Sequence, residues 1–189
     1  ALDEQIKSRH RFLAQLEQSE PPKLFKNLHR DWENKVIYTQ KNIEDLDKKL
    51  FDEYTEYGEF LQKNCWDNDG FLYRNFKNGK NSIVGYLEDY AHVIDAFISL
   101  YEITFDENWL FNAKQLTHYC FDYYYNEKQQ FFAFNHKNDS QLIAEHYEVE
   151  DNVIPAANSV MARNLKKLSV YFENNYFEEI AQKMLQNIL

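Results

Sequence analysis

From Leu50 onward the apolar residues recur at helical steps: Leu50, Tyr54, Tyr57 and Leu61 stand three or four apart, on one face of a helix. Upstream the rhythm is thinner. Leu2, Ile6, Leu13 and Leu16 predict a helix over 2–18 despite interrupting charges, and Pro21 and Pro22 end it, because proline cannot donate inside a helix. The charged stretch 23–49 reads as mostly helical. After Leu61 the rhythm breaks. Residues 65–70 read as a turn, 71–74 and 82–84 as short strands, and Lys77-Asn78-Gly79 as the turn between them, since Asn-Gly suits a tight hairpin. A helix over 86–104 follows, with Leu87, Tyr90, Ala91, Ile94, Phe97, Ile98 and Tyr101 on one broad face. Asp106 is placed to cap the next helix, 107–125, whose stripe is Trp109, Ala113, Leu116 and Cys120. Residues 131–134 read as a short strand and 135–151 as a polar, acidic passage. Helices over 157–172 and 176–189 complete the pattern.

The pattern repeats. A shift of 68 residues sets Leu100 on Leu168, Asp106 on Asn174, Trp109 on Phe177 and Ala113 on Ala181. Both Trp66 to Tyr73 and Tyr125 to Phe134 pass from an aromatic residue through a polar turn to an aromatic strand. The unit is a helical hairpin with a short β-loop. One unit cannot bury its own apolar faces, so neighbours must, as in a solenoid or a closed helical toroid. The chain opens at Ala1, and its last helix runs to Leu189 without a capping residue, so a fragment continued by other material is expected.

Composition narrows the function classes. Four Gly and three Pro are too few for a turn-dense all-β fold. A net charge of −10 argues against nucleic-acid or anionic-membrane partners, which need clustered Lys and Arg. No apolar run reaches the ~18 residues of a membrane span. Cys65 and Cys120 fit no metal or redox spacing, which points to a reduced, cytoplasmic setting. Aromatic residues make up 17% of the chain, a density that suits either a helical core or the stacking of sugars.

Specific runs carry a family likeness. Gly85-Tyr86-Leu87-Glu88-Asp89-Tyr90-Ala91, then Leu100-Tyr101-Glu102 and Trp109-Leu110, resembles the helical part of the YyaL-like proteins, bacterial relatives of spermatogenesis-associated thioredoxin-domain proteins. Glu148, Asp151, Pro155, Asn158-Ser159 and Leu165 resemble the same family's acidic loop and the Asn-Ser helix after it. The resemblance covers residues 50–189. It implies an all-α fold, helical hairpins with short β-loops forming part of an (α/α)6 toroid of the six-hairpin glycosidase type, akin to N-acylglucosamine and cellobiose 2-epimerases. The family's thioredoxin-like domain and an early aromatic-Asn helix have no counterpart here, Ala156 and Ala157 stand for its small residues, and Asn152 stands where it has glycine. Residues 1–189 are therefore expected to be a single domain, the C-terminal half of a toroid, with the membership of 1–49 open. The missing N-terminal part of the same protein is an expected partner.

In such toroids helix starts face a central funnel, which selects the candidate residues. Asp89, His92 and Asp151 are the catalytic candidates; Glu88, Glu148, Asn158 and Trp66 are the ligand-binding ones. Each also has a structural reading. Glu88 and Asp89 suit the positive end of a helix dipole; Asn158 and Ser159 suit N-caps; residues 145–151 suit a solvated acidic loop; Trp66 serves as a sugar platform or as the lid of a helix. The chemistry at stake is a carboxylate pair roughly 5 to 9.5 Å apart for glycoside hydrolysis, or a base and an acid for epimerisation next to a carbonyl. His146 is a further acid–base candidate. No phosphate-binding Gly loop, HExxH pair or EF-hand spacing occurs, so neither cofactor nor metal is expected. The function implied by the resemblance is a carbohydrate-active enzyme of the epimerase or glycosidase type acting on a small-molecule carbohydrate. The alternative is a non-catalytic helical scaffold that holds a basic peptide or partner protein on an acidic face.

Overall fold

A computed structural model describes residues 2–18, 26–67, 69–139, 146–151 and 154–187. The chain divides into two compact units, Ala1–Tyr57 and Gly58–Leu189. Helices α1 (Leu2–Gln18) and α2 (Lys26–Asn64) begin the fold, the latter crossing from the first unit into the second. The stretch read as mostly helical thus joins the next one in a single rod of 39 residues. No proline and only one glycine, Gly58, interrupt it. In the first unit Ile6, Leu13, Thr39 and Ile43 are buried, and the Trp32 indole N–H donates to the Leu16 carbonyl.

The second unit is built from two hairpins. Helix α3 (Leu87–Thr104) turns into α4 (Glu107–Tyr123), and α5 (Ala157–Tyr171) into α6 (Asn175–Gln186). Such short links make each pair antiparallel neighbours. The 68-residue repeat reaches down to backbone geometry. Asp106 caps α4 by accepting from the Asn108 N–H at 3.0 Å, and Asn174 caps α6 by accepting from the Tyr176 and Phe177 N–H groups at 3.0 and 3.2 Å. The residue before each cap, Phe105 and Glu173, takes a left-handed conformation, with φ of 57° and 49°. The paired core positions Leu100 and Leu168, Trp109 and Phe177, Ala113 and Ala181 are all buried.

Helices α3 and α5 pack side by side and run parallel. Asn164 Nδ2 donates to the Ala91 carbonyl (2.8 Å), and Arg163 pairs with Asp95 (2.8 Å). Further along both helices, Lys167 and the Tyr171 hydroxyl reach Glu102 (3.0 and 2.9 Å). Both helices therefore start at the same end, where the loops after α2 and α4 also gather.

Those loops differ from the expected strands. Residues 71–84 hold only isolated bridges, Leu72 to Trp66, Tyr73 to Val84 and Lys77 to Lys80, with the Asn78-Gly79 turn at φ of 53° and 73° as anticipated. Asn75 explains the shortfall: its side-chain oxygen accepts from the Ser82 and Ile83 N–H groups (3.2 and 2.7 Å) and so replaces ladder bonds. Likewise the strand expected over 131–134 shrinks to β2 (Phe131–Phe132), paired with β1 (Tyr125–Asn126). The Phe134 N–H turns away to the His146 carbonyl (2.8 Å). Two buried tyrosines fix the first loop to the hairpin. Tyr90 Oη accepts from the Leu72 N–H (2.8 Å), and Tyr124 Oη donates to the Gly85 carbonyl (2.9 Å). Their fully buried rings bring apolar area to the core and find partners for both hydroxyls.

Candidate active site

The first turn of α3 is made where Tyr86 leaves the loop. Asp89 Oδ2 accepts from the Tyr86 N–H at 2.8 Å, and the Leu87 N–H donates to the Phe134 carbonyl at 3.0 Å. The Tyr86 ring stacks on Phe134 with centroids 4.9 Å apart. Over its other surroundings lies Arg74, whose guanidinium sits 5.0 Å from the Tyr86 centroid. Arg74 Nη2 bonds Glu88 Oε1 at 3.0 Å, and its Nε lies 3.7 Å from Asp89 Oδ2. One turn on, His92 joins Glu88, Asp89 and Arg74 in lining a cavity of about 330 Å³, floored by Leu61, Cys65 and Leu72.

The electrostatics single out Asp89. Burial pushes its carboxyl above the ordinary aspartate range, against the Tyr86 N–H and Arg74, which favour the ionised form. Glu88 adds to the rise, and His92 opposes it. Cys65 is no nucleophile here, since burial raises its thiol and so disfavours the thiolate. Glu88, Asp89 and His92 thus share one cavity, with a carboxyl whose pKa is raised by burial near an exposed imidazole.

The other candidates stand elsewhere. Asp151 does not line this cavity, although Ile154 does. Asp151 is exposed and works as a cap: its carboxylate accepts from the Ala156 N–H at 2.8 Å. That bond and one from the Ser159 hydroxyl hold its pKa below the ordinary range. Asn158 is fully buried, and its amide is wholly engaged. Its Oδ1 accepts from the Phe132 N–H (2.9 Å), and its Nδ2 donates to the Phe132 and Glu148 carbonyls (3.0 and 2.9 Å). The amide clamps α5 to β2 and to the acidic loop. Glu148 turns its carboxylate toward the Ala157 N–H at the α5 start (3.5 Å). Trp66 packs beside Phe97 (6.1 Å) and borders a separate polar cavity of about 310 Å³ with Asn112 and Gln115. Sequence reasoning missed Arg74 and Tyr86 as site residues. Their role comes from a pairing across 14 residues that no local periodicity encodes.

Parallel inner helices, outer helices returning beside them and loops collecting acids at one end define a protein of the helical-hairpin toroid class. Residues 37–168 match the family of N-acylglucosamine 2-epimerase (GlcNAc 2-epimerase), and the chain belongs to that family. The family's fold is an (α/α)6 toroid, and the hairpins described above are part of one. The chain is also similar to the uncharacterized protein B0495.5 of Caenorhabditis elegans, 26% identical over 143 residues, which cover 71% of this chain and 19% of that relative. The chain thus spans about a fifth of the length of the curated relative it matches. Among the described residues no helix is long and apolar enough to cross a membrane, and no group of metal-ligating side chains forms.

Proposed function

We propose that the chain carries the proton-transfer end of a sugar 2-epimerase, with Asp89 and His92 as its acid–base pair at the α3 start. One observation carries this reading: a carboxyl whose pKa is raised by burial and a histidine one turn away line the same cavity. Epimerisation next to a carbonyl removes a proton from one face of a carbon and returns one to the other. That needs two groups able to exchange protons near neutrality. His92 takes the proton from C2 of the open-chain sugar, the electron pair moves toward the carbonyl oxygen, and the carboxyl of Asp89, as the acid of the pair, returns a proton to the opposite face as the carbonyl re-forms. Arg74 faces the developing negative charge on that oxygen, and Glu88 keeps Arg74 in place. Asp151 and Asn158 support the chemistry by shaping the α5 start.

The motifs beginning at Gly85 and at Glu148 support a place beside the YyaL-like branch, whose remaining domains would make up the rest of a longer protein. The half-toroid of residues 1–189 would then be completed by that N-terminal part. Calorimetric titration with N-acetylglucosamine and with glucose tests the assignment. Binding should weaken at least about tenfold in Asp89→Asn and in Arg74→Gln, as expected when a hydrogen-bonding partner in the site is lost. Unchanged affinity in both would remove the α3 start from the site and favour the scaffold reading.

A further inference from the structure

Another cavity lies away from the α3 start, in the loop after α4, and shares no lining residue with the cavity of Asp89. Its volume is about 770 Å³, within the roughly 300–1,000 Å³ of small-ligand sites. We infer that this cleft is a second binding site, for a neutral oligosaccharide.

One wall of the cleft is aromatic. The Phe121 ring backs both Tyr125 (5.2 Å) and Tyr176 (5.4 Å), so two tyrosines stand on one rigid support. Burial, and Glu127 nearby, raise both phenols, so each keeps its proton and can donate. Tyr176 is half exposed and presents its ring to the cleft. Across from it, His136 is held in one tautomer. Its Nδ1 accepts from the Asn138 N–H at 3.1 Å, which leaves the proton on Nε2, 3.2 Å from Tyr119 Oη. The ring stacks on Tyr123 with centroids 4.7 Å apart, and burial lowers its pKa, so it stays neutral. Lys137 is turned onto the Asp122 carbonyl (3.0 Å), which braces the rim.

The chemistry of this lining selects the ligand. An anion would meet Asp122, Glu127 and Asp139 against Lys128 and Lys137. A metal ion would need a cluster of carboxylates or imidazoles, and none forms among the described residues. An acyl chain would leave the amides, phenols and imidazoles without water or partners, at a cost of about 1–3 kcal/mol for each buried group. A sugar chain offers hydroxyls that both donate and accept, and C–H faces that lie on tyrosine rings. A volume of about 770 Å³ has room for more than one sugar ring. This inference stands on the lining residues and does not depend on catalysis at the α3 start.

Imidazole resonances of the intact protein, followed by NMR during titration with maltotriose, chitotriose and a trimer of galacturonic acid, test it. The neutral trimers should shift His136 and His146, and Tyr176→Ser should weaken that response about tenfold or more, while Asp89→Asn leaves it unchanged. Asp122→Asn provides a second variant on an exposed rim. Three results would overturn the inference: neither neutral trimer moves His136 or His146; the acidic trimer binds as well as the neutral ones; or both cleft variants respond like the parent. Shifts at His92 alone would uphold the α3 site and reject the cleft, whereas cleft shifts without any at His92 would do the reverse.

Discussion

Asn158 shows how one residue can hold a site without entering it. Its buried amide ties the start of α5 to β2 and to the acidic loop through three hydrogen bonds. Asn158→Ala removes those bonds and leaves the Phe132 backbone groups buried without partners. We expect a loss of about 2–4 kcal/mol, read as a shift of the urea midpoint with unchanged slope. Asp89 makes the opposite case. Its carboxyl also bonds locally, to the Tyr86 N–H, but it keeps a face on a cavity and a raised pKa. The sequence alone offers a helix-start reading for both, the dipole for Asp89 and a cap for Asn158. Long-range placement separates them, because burial of Asn158 depends on β2, 26 residues away.

At the scale of elements, the caps and the hairpin pairing carry testable weight. Removing either helix cap, by Asp106→Ala or Asn174→Ala, should cost about 1 kcal/mol, and thermal denaturation of the two variants should show similar losses because the repeat gives them equivalent places. The α5–α6 hairpin adds a pH dependence. Glu178 accepts from Lys166 Nζ (2.6 Å), the Ser169 hydroxyl (2.9 Å) and Gln182 (2.8 Å), and these bonds, Lys166 first, hold its pKa below the ordinary glutamate range. A carboxylate with a lowered folded pKa stabilises the fold above its unfolded pKa, and that contribution disappears as pH falls through the lowered value. Glu178→Gln should therefore destabilise at neutral pH and match the parent in acid; equal pH profiles would show that the network contributes nothing. Helix starts and the 68-residue repeat were legible because cap chemistry and the 3.6-residue period are local. The strands of 71–84 were not, because Asn75 replaces ladder bonds with side-chain bonds, which leave no trace in an apolar alternation. Arg74 escaped for the same reason that it matters: its partners come from another element.

For the whole molecule, family and chemistry meet at one end of the second unit. Parallel α3 and α5 both begin there, with the loops that supply Arg74, Tyr86 and the acidic passage. The match to the N-acylglucosamine 2-epimerase family, residues 37–168, includes that end. Arg74 lies beside Glu88 and Asp89 at the α3 start. The central claim is that this site moves a proton at the carbon next to a sugar carbonyl. Deuterium uptake at C2 of N-acetylglucosamine in heavy water, followed by proton NMR, measures that step directly. We predict uptake with the parent protein and a loss of at least about 100-fold in Asp89→Asn, the contribution expected of a positioned acid–base group. Uptake at an unchanged rate in Asp89→Asn, or none with the parent while sugar is bound, would contradict it.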